Sequence, residues 1–509
     1  MHLLKPEFHS RRAFLKRSGQ LAFSGAALPM ALNLAAIGEA AAFTNPGDYK
    51  ALVCVFLYGA NDFANTVVTY DNPSYAQYLN IRGAFTASGG LALPLADLSP
   101  TLLAPKVAPV DSLGVTRKFA LNPAMTRMAS LFNTGKAAVQ LNVGPLIVPL
   151  TRDNYNSTDF TRYPRPPQLF SHNDQQSIWQ SSSPEGSKVG WGGNIGDLAL
   201  SSNTQSTFTC MSVTGNAVFL SGDQALQYQV TTGGAVRVNS AYVSPSNVAN
   251  STYGSTAVTA AMRTLVQQTR GHALEKEYNK VTARSIAAEG TVTAALSSTT
   301  ATTFTFPGGN SLADQLKMVA RLISARSTLG AQRQVFMVSL GGFDTHDFLA
   351  RDHGGFRDTN NAIIPGLLGK VSEAIGAFYD ATVAMGVSDK VTTFTASDFG
   401  RTLASNGDGS DHGWGSHHFV VGGAVNGQAL YGVAPPVSVS DAKTGNAYNP
   451  ENQWHVGQGR LLPTTSVDQF GATMAKWFGV ASSEMTSVFP NIGNFGSSTY
   501  AGGYMGFMA

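Results

Sequence analysis

Short apolar runs that alternate with amphipathic helical patterns limit the folds open to this chain. Residues 51–58 form such a run, which ends at a glycine. Residues 334–340 and 390–396 are also predicted strands, and helical patterns occur at 316–323 and 371–382. A strand buried on both faces is an unbroken apolar run, and alternation of such strands with helices is typical of a parallel sheet. These patterns predict an α/β fold with a mainly parallel sheet.

The N-terminus has the parts of an export signal in their usual order. The twin-arginine pair, Arg11 and Arg12, precedes a weakly hydrophobic stretch at 21–37, and small residues at 40–42 offer a cleavage site. This order is typical of a signal peptide, and a lone amphipathic helix is the alternative. We therefore expect residues 1–42 to be a twin-arginine signal peptide, recognised by the twin-arginine translocase and by signal peptidase. The mature protein, residues 43–509, would be periplasmic or secreted.

Removal of this leader balances the charge of the chain. The whole sequence has 34 Lys+Arg and 31 Asp+Glu, and the leader holds five of the basic and two of the acidic residues. The mature chain therefore has 29 of each sign. It lacks the basic excess typical of proteins that bind nucleic acid, so we expect no nucleic-acid partner. No second apolar segment is long enough for a stable membrane span in the mature chain.

Residues 200–310 differ in composition from the rest, because Ser, Thr, Asn and Gly dominate there. Alternation at 208–213 suggests antiparallel strands, and 256–296 favours a long helix or a helical pair. We expect a Ser/Thr-rich, partly helical insertion or cap outside the core sheet. The only cysteines are Cys54 and Cys210. An oxidising periplasm would permit a disulfide, whereas the position of Cys54 in an apolar run favours a buried free thiol.

Two polar motifs directly follow predicted strands. Asp344 and His346 come after the strand at 334–340 and its two glycines. In open α/β sheets, ligands bind beyond the carboxyl ends of the strands. A carboxylate and an imidazole two residues apart can converge there on one metal ion. The alternative is a polar surface loop.

The second motif follows the strand at 390–396. It contains Asp398 and Arg401, and His412, His417 and His418 come soon after. Three histidines within seven residues favour a site, and a guanidinium can bind an anionic group through two hydrogen bonds. The alternative is a His-rich loop that backbone hydrogen bonds hold in place.

Two further positions are candidates on weaker grounds. Asp62 follows the first strand, where it is also an ordinary turn residue. Ser171 opens a helical pattern in the motif Ser-His-Asn-Asp and could be a helix N-cap. The start of a helix also suits a hydroxyl nucleophile that attacks a phosphate or sulfate ester.

Several segments together carry a resemblance to a known family. These are the twin-arginine leader, LVCVFLYGANDFANTVV, QLNVGPL, QLFSHNDQQSIWQ, GGFDTHD, TASDFGRT and GSDHGWGSHHF. They resemble the bacterial secreted family catalogued as domain of unknown function 1501. That family resembles, more distantly, the alkaline phosphatase and sulfatase superfamily. The resemblance implies a doubly wound, mainly parallel α/β sheet with a metal site at the strand ends.

The same resemblance implies roles for individual residues. The metal ligands would be Asp62, Asp344, His346, Asp398, His412 and His417. Ser171 would be the nucleophile and Arg401 an anion clamp. Mixed nitrogen and oxygen ligands favour zinc, with manganese or calcium as alternatives.

These expectations define two functions. The first is an exported metal-dependent hydrolase of phosphate or sulfate esters, with an anionic ester or glycan as its ligand. The second is a non-catalytic protein that uses the same scaffold to bind glycans or partner proteins at the cell surface or in the periplasm. Turnover of an ester distinguishes the two.

Overall fold

The computed structural model of the chain describes residues 43, 47–86, 89–238, 254–297, 304–496 and 504–509. The predicted signal peptide, residues 1–42, lies outside the described residues, and so do residues 239–253 and 298–303 of the predicted insertion. Export by the twin-arginine route therefore stays a prediction.

Strands and helices alternate along most of the described chain. The strands are β1 Lys50–Leu57, β2 Val67–Thr69, β3 Phe119–Leu121, β4 Ala137–Gly144, β5 Cys210–Ser212, β6 Tyr228–Thr231, β7 Gly234–Ala235, β8 Arg333–Leu340, β9 Val391–Ser397, β10 Ser416–Gly422, β11 Leu430–Tyr431, β12 Lys443–Thr444, β13 Ala447–Tyr448 and β14 Thr465–Ser466. The α-helices are α1 Phe63–Thr66, α2 Asn72–Arg82, α3 Leu95–Leu98, α4 Thr126–Asn133, α5 Arg152–Tyr155, α6 His172–Ser181, α7 Trp191–Ala199, α8 Thr256–Gln267, α9 Ala273–Ser297, α10 Ser311–Ser324, α11 Leu349–His353, α12 Gly366–Ala384, α13 Val467–Phe478 and α14 Met485–Val488. Short 3-10 helices are Ser99–Thr101, Leu200–Ser202, Ser206–Phe208, Val218–Leu220, Pro450–Asn452, Ser482–Glu484 and Ile492–Phe495.

A mostly parallel sheet forms the centre of the fold. Among the described residues it has ten strands in the order β11-β4-β10-β9-β1-β8-β5-β6-β7, with β14 beside β4. β1 lies parallel to both β8 and β9, whereas β10 is antiparallel to both β9 and β4. The predicted α/β fold with a mainly parallel sheet is confirmed.

The alternate residues of β1 explain why helices cover both faces of the sheet. Val53 and Val55 join one apolar cluster, which includes residues of α4, α10 and α12. Leu52, Cys54 and Phe56 join a second cluster, which includes residues of α6, α7 and α13. Successive strand residues point to opposite faces, so an unbroken apolar strand needs a cover on each side. Burial of each large side chain contributes about 1.5–3 kcal/mol.

Side-chain caps fix the starts of two of the covering helices. The Asn310 side chain accepts a hydrogen bond from the Ala313 amide at the start of α10. Ser466 and Gln469 form a reciprocal capping box at the start of α13. Such caps satisfy amides that have no partner within the helix, each at a gain of about 1 kcal/mol.

The segment 200–310 differs in part from its prediction. Its β5 pairs parallel with β8, and β6 pairs parallel with β5, so this segment extends the central sheet. The expectation of antiparallel strands at 208–213, outside the core sheet, is wrong, because only β7 returns antiparallel, against β6, among the strands described in this segment. The helical pair is present as α8 and α9. An insertion or cap stays a prediction.

Two further expectations concern the cysteines and the membrane. Cys54 and Cys210 are both buried free thiols, and burial raises the pKa of each thiol. Within the described part of the chain, no helix combines the length and hydropathy that crossing a bilayer requires.

Candidate functional site

The carboxyl ends of β1, β8 and β9 meet at one edge of the sheet, as predicted. Gly59, just after β1, lets the end of β1 approach the backbone that follows β8 closely. Its amide donates a hydrogen bond to Asp398 Oδ2 over 3.1 Å. A Cβ on Gly59 would lie 2.3 Å from the backbone nitrogen of Asp344, and its φ is +110°. Only glycine fits such a position without strain.

Three histidines and an aspartate converge at this edge. His412 Nε2 lies 2.9 Å from His346 Nε2 and 3.1 Å from His172 Nε2. Asp344 Oδ1 lies 3.2 Å from His346 Nε2 and 3.4 Å from His412 Nε2. Asp344 Oδ2 lies 3.6 Å from His172 Nε2. We call these four residues the histidine cluster.

The other ring nitrogen of each imidazole faces an oxygen acceptor. His412 Nδ1 lies 2.8 Å from the carbonyl oxygen of Phe170, and His172 Nδ1 lies 2.6 Å from Asp398 Oδ2. His346 Nδ1 lies 3.4 Å from Asp411 Oδ1. In histidines that bind metals, the second ring nitrogen commonly donates a hydrogen bond to such an acceptor. This bond fixes the orientation of the ring and its tautomer.

These acceptors determine where the protons lie. A carbonyl oxygen only accepts, so His412 Nδ1 carries the hydrogen and Nε2 of the neutral ring has a lone pair. The same holds for His172, because Asp398 accepts from its Nδ1. Two lone pairs would then face each other over 3.1 Å. That contact requires a positive charge, either a proton on one ring or a bound cation.

The pKa shifts within the cluster differ in direction. The hydrogen bond to Asp398 raises the pKa of His172 against the effect of partial burial. Burial lowers the pKa of His412, and the nearby charges of His172 and Arg401 act in the same direction. Burial raises the pKa of Asp344, but the hydrogen bond and charge of Arg401 outweigh it, so the net shift is downward.

Asp398 lies behind His172 in the structure. Its Oδ2 accepts hydrogen bonds from His172, from the Gly59 amide and from Gln176 Nε2. The side chain has no exposed surface. Its Oδ1 has no hydrogen-bond partner among the described residues. Asp398 thus contacts His172 directly, and its role as a metal ligand stays a prediction.

Arg401 is buried and bonded to protein groups, so the geometry does not support an anion clamp. Its NH1 donates to Asp344 Oδ1 and to the Gly59 carbonyl, each over 3.1 Å. Its Nε and NH2 donate to the carbonyl of Ser410. The side chain has no exposed surface. Arg401 therefore holds Asp344 in place.

Asp62 is at the predicted edge but not in the cluster. Its two carboxylate oxygens lie 2.6 and 2.7 Å from the guanidinium of Arg82, and neither side chain is exposed. Arg82 also donates to the carbonyls of Thr402 and Leu403. The pair therefore ties the end of β1 to the loop after β9.

His417 also lies apart from the cluster, in β10. Its Nδ1 accepts a hydrogen bond from the Asn142 amide over 3.0 Å, and its ring packs edge-on against Phe63. Burial lowers the pKa of His417 to about 3. The structure brings Asp344, His346 and His412 together, as predicted, and places Asp62 and His417 in structural contacts.

Comparison with known proteins identifies the family. A family model described as "Protein of unknown function (DUF1501)" matches residues 49–452. The chain belongs to this family. No curated protein matches the chain.

Two solved structures show only a distant similarity to this DUF1501 protein. The crystal structure of Ps i-CgsB in complex with k-i-k-neocarrahexaose has 10% sequence identity and a TM-score of 0.33, covering 88% of this chain and 77% of its own. A structure from Bacteroides thetaiotaomicron, described under metabolism of multiple glycosaminoglycans, has 10% identity and a TM-score of 0.27, covering 75% of this chain and 69% of its own. Similarity at this level carries no argument about activity.

The Ser-His-Asn-Asp motif of this DUF1501 protein contributes a residue that the sequence prediction left out. His172 is the first residue of α6 and belongs to the cluster, whereas the prediction selected Ser171. Ser171 occupies the N-cap position, but its hydroxyl makes no capping bond and donates to Asp174 Oδ2 over 2.8 Å. The signal for His172 was present, because it is a histidine beside a candidate nucleophile at a helix start.

Proposed function

We propose that this DUF1501 protein is an exported, metal-dependent hydrolase of phosphate or sulfate esters. The observation that carries the proposal is the convergence of the three Nε2 atoms beside Asp344. Donor atoms of His172, Asp344 and His412 all lie within 4.8 Å of one another, and His346 Nε2 contacts two of these residues. A cation at this position would accept the facing lone pairs.

The residues of the cluster fit a zinc ion. His172, His346 and His412 would bind through Nε2 and Asp344 through a carboxylate oxygen. Such a nitrogen-rich set of ligands favours zinc over manganese or calcium. Compared with the sequence prediction, this set adds His172 and leaves out Asp62, Asp398 and His417. When bound, the metal supplies Lewis-acid polarisation of an ester oxygen.

Ser171 is the proposed nucleophile because of its place beside His172. It precedes the first turn of α6, whose amides receive no cap from its side chain. A helix N-terminus with free amides favours an anionic ester. The hydroxyl already donates to Asp174 Oδ2, so the same carboxylate is placed to accept its proton when the oxygen attacks.

The choice of phosphate or sulfate esters rests on the resemblance in motif order to the alkaline phosphatase and sulfatase superfamily. A strand-end aspartate, a helix-start hydroxyl, a middle Asp and His pair, and a late aspartate follow in that order. The twin-arginine pattern supports a periplasmic or secreted location, where the substrate would be an external ester or a sulfated or phosphorylated glycan.

The first experiment measures metal and stability. Purified mature protein should contain zinc, and its melting temperature should fall on chelation and recover on addition of zinc. His412→Ala should lose the metal, whereas His272→Ala, at an exposed histidine outside the cluster, should keep it. A metal-free wild-type protein whose melting temperature ignores both chelator and zinc would refute the metal site.

The second experiment measures turnover. The zinc-loaded protein should hydrolyse p-nitrophenyl phosphate or p-nitrophenyl sulfate. Ser171→Ala should retain zinc and stability but lose hydrolysis, and Ser183→Ala, just beyond the same helix, should retain all three. Hydrolysis that persists in Ser171→Ala would exclude this nucleophile.

One observation favours the non-catalytic alternative. Arg401 is bonded to Asp344 and to backbone carbonyls and has no exposed surface at which an anion could contact it. A zinc-loaded protein that turns over neither ester would support a binding protein on the same scaffold.

A further inference from the structure

Arg460 is a cation beside the histidine cluster that no carboxylate contacts directly among the described residues, although the charge of Asp411 acts on it. Other buried arginines near the site have such a contact: Arg82 pairs with Asp62, and Arg401 with Asp344. Across the described residues, Arg460 forms no ion pair, and its one side-chain hydrogen bond runs from Nε to the carbonyl oxygen of His412 over 2.7 Å. Its side chain is partly buried. Its two terminal amino groups are therefore available to a ligand.

One hydrogen bond and one ring contact hold this guanidinium near the cluster. Its central carbon lies 5.4 Å from the ring centroid of Phe170, and the Phe170 carbonyl accepts the hydrogen bond of His412 Nδ1. Arg460 thus contacts both the backbone of one cluster residue and the residue that orients its ring. Phe170 also immediately precedes Ser171. Arg460, the cluster and the start of α6 are consequently neighbours.

The backbone at Arg460 is held in a closed turn. Its amide donates to the Gly457 carbonyl and its carbonyl accepts from the Val456 amide, each over 2.9 Å. The next residue, Leu461, accepts from the Gly415 amide. The side chain therefore extends from a fixed position, which lowers the entropy lost when it binds a ligand.

We propose that Arg460 binds the non-bridging oxygens of the phosphate or sulfate group, in the role that the sequence assigned to Arg401. The inference rests on the proposed function for the location of the ester. A guanidinium that is held through Nε and has two terminal amino groups free of hydrogen bonds matches two oxygens of a tetrahedral oxyanion. Lysine, a compact charge on a flexible stem, reproduces only part of this contact.

The test measures anion binding directly, apart from turnover. Orthophosphate and sulfate are titrated calorimetrically into zinc-loaded wild-type protein and into Arg460→Gln, Arg460→Lys and Arg162→Gln. Arg162 is the matched control, because it is an exposed arginine over the ring of Tyr163 and has no hydrogen bond or ion pair with the cluster among the described residues. Arg460→Gln should weaken binding of at least one anion about tenfold or more, because a charge-assisted contact is lost. Arg460→Lys should lose less, and Arg162→Gln should match wild type.

Zinc content and melting temperature of each variant separate loss of the contact from loss of the fold. If Arg460→Gln retains both and binds the anions as wild type does, the inference is wrong. It is also wrong if zinc-loaded wild type binds neither anion. If wild type binds an anion through Arg460 but hydrolyses neither p-nitrophenyl ester, the proposed hydrolase fails while the anion site stands. If Arg460→Gln misfolds, Arg460→Lys decides the question. Equal affinities of wild type and Arg460→Lys for the anions would contradict a contact through two hydrogen bonds of the guanidinium.

Discussion

Replacement of Asp62 by asparagine removes one charge from an ion pair that has no contact with solvent. The carboxylate bonds Arg82 through both oxygens, at 2.6 and 2.7 Å, and both side chains have 0% exposure. Asparagine keeps the shape but leaves the guanidinium buried and uncompensated. Breaking a buried pair in this way costs about 3–5 kcal/mol.

The expected change in melting temperature follows from this energy. A folded chain of roughly 470 residues unfolds with an entropy of about 1 kcal/mol/K, so the loss corresponds to roughly 3–5 °C. Arg82→Met should cost a similar amount, because it also leaves two carbonyls without their donor. The double variant should cost less than the sum of the two, since both changes remove the same interaction.

The assay combines thermal unfolding of chelated protein with measurement of bound zinc. Asp62→Asn should melt lower yet keep its zinc. His346→Ala is the comparison variant, for which we expect the reverse result, because that side chain is 44% exposed. It should keep the melting temperature of the chelated protein and lose zinc affinity. Loss of zinc in Asp62→Asn, with an unchanged melting temperature after chelation, would refute the structural role and restore Asp62 as a ligand.

Three further predictions follow from the same structure. The pKa of His172 is raised by its hydrogen bond to Asp398, so the stability from this pair is complete below about pH 6.5 and is lost as pH rises through the folded pKa. The melting temperature of chelated protein should decline over that range, Asp398→Asn should flatten the decline, and a flat wild-type profile would contradict it. Gly59→Ala should lower stability by roughly 3 kcal/mol, since its Cβ would collide with the Asp344 backbone at positive φ; a near-wild-type denaturation midpoint would show that the turn adapts. Lysine at both arginines of the Arg11–Arg12 pair should leave uncleaved precursor in the cytoplasm by cell fractionation, and processed periplasmic protein would contradict twin-arginine export.

The sequence was most informative where burial dictates residue type. The runs at β1 and β8 are largely apolar because helices cover both faces of the sheet, so their composition predicts buried parallel strands. The strand β10 was not predicted, although it lies between two central strands. It contains His417 and His418, which are polar residue types although both side chains are buried. Only the tertiary partners, such as the Asn142 amide, explain why histidine fits there.

The site was predictable to the extent that strand ends determine it. Asp344, His346 and Asp398 follow strands, and parallel topology places such residues at one edge. The partner of each carboxylate was not predictable. Arg82 comes from α2, which carries no signal that it reaches Asp62, and Arg401 resembles a free cation until its contacts with Asp344 are seen. Several arginines and histidines far apart in sequence could each pair with these carboxylates, and the local sequence pattern does not show which pairs form.

The reversed direction of β10 affects how this family can vary. A parallel neighbour would oblige the chain to cross back over the sheet before it re-enters, usually through a helix. Because β10 is antiparallel to β9, the connection from Asp398 to Ser416 leaves and returns at the same edge. It therefore supplies Arg401 and His412 without passing through the core. Relatives could lengthen, shorten or replace this connection and so change what the edge accepts, while the register of the sheet beneath it stays the same.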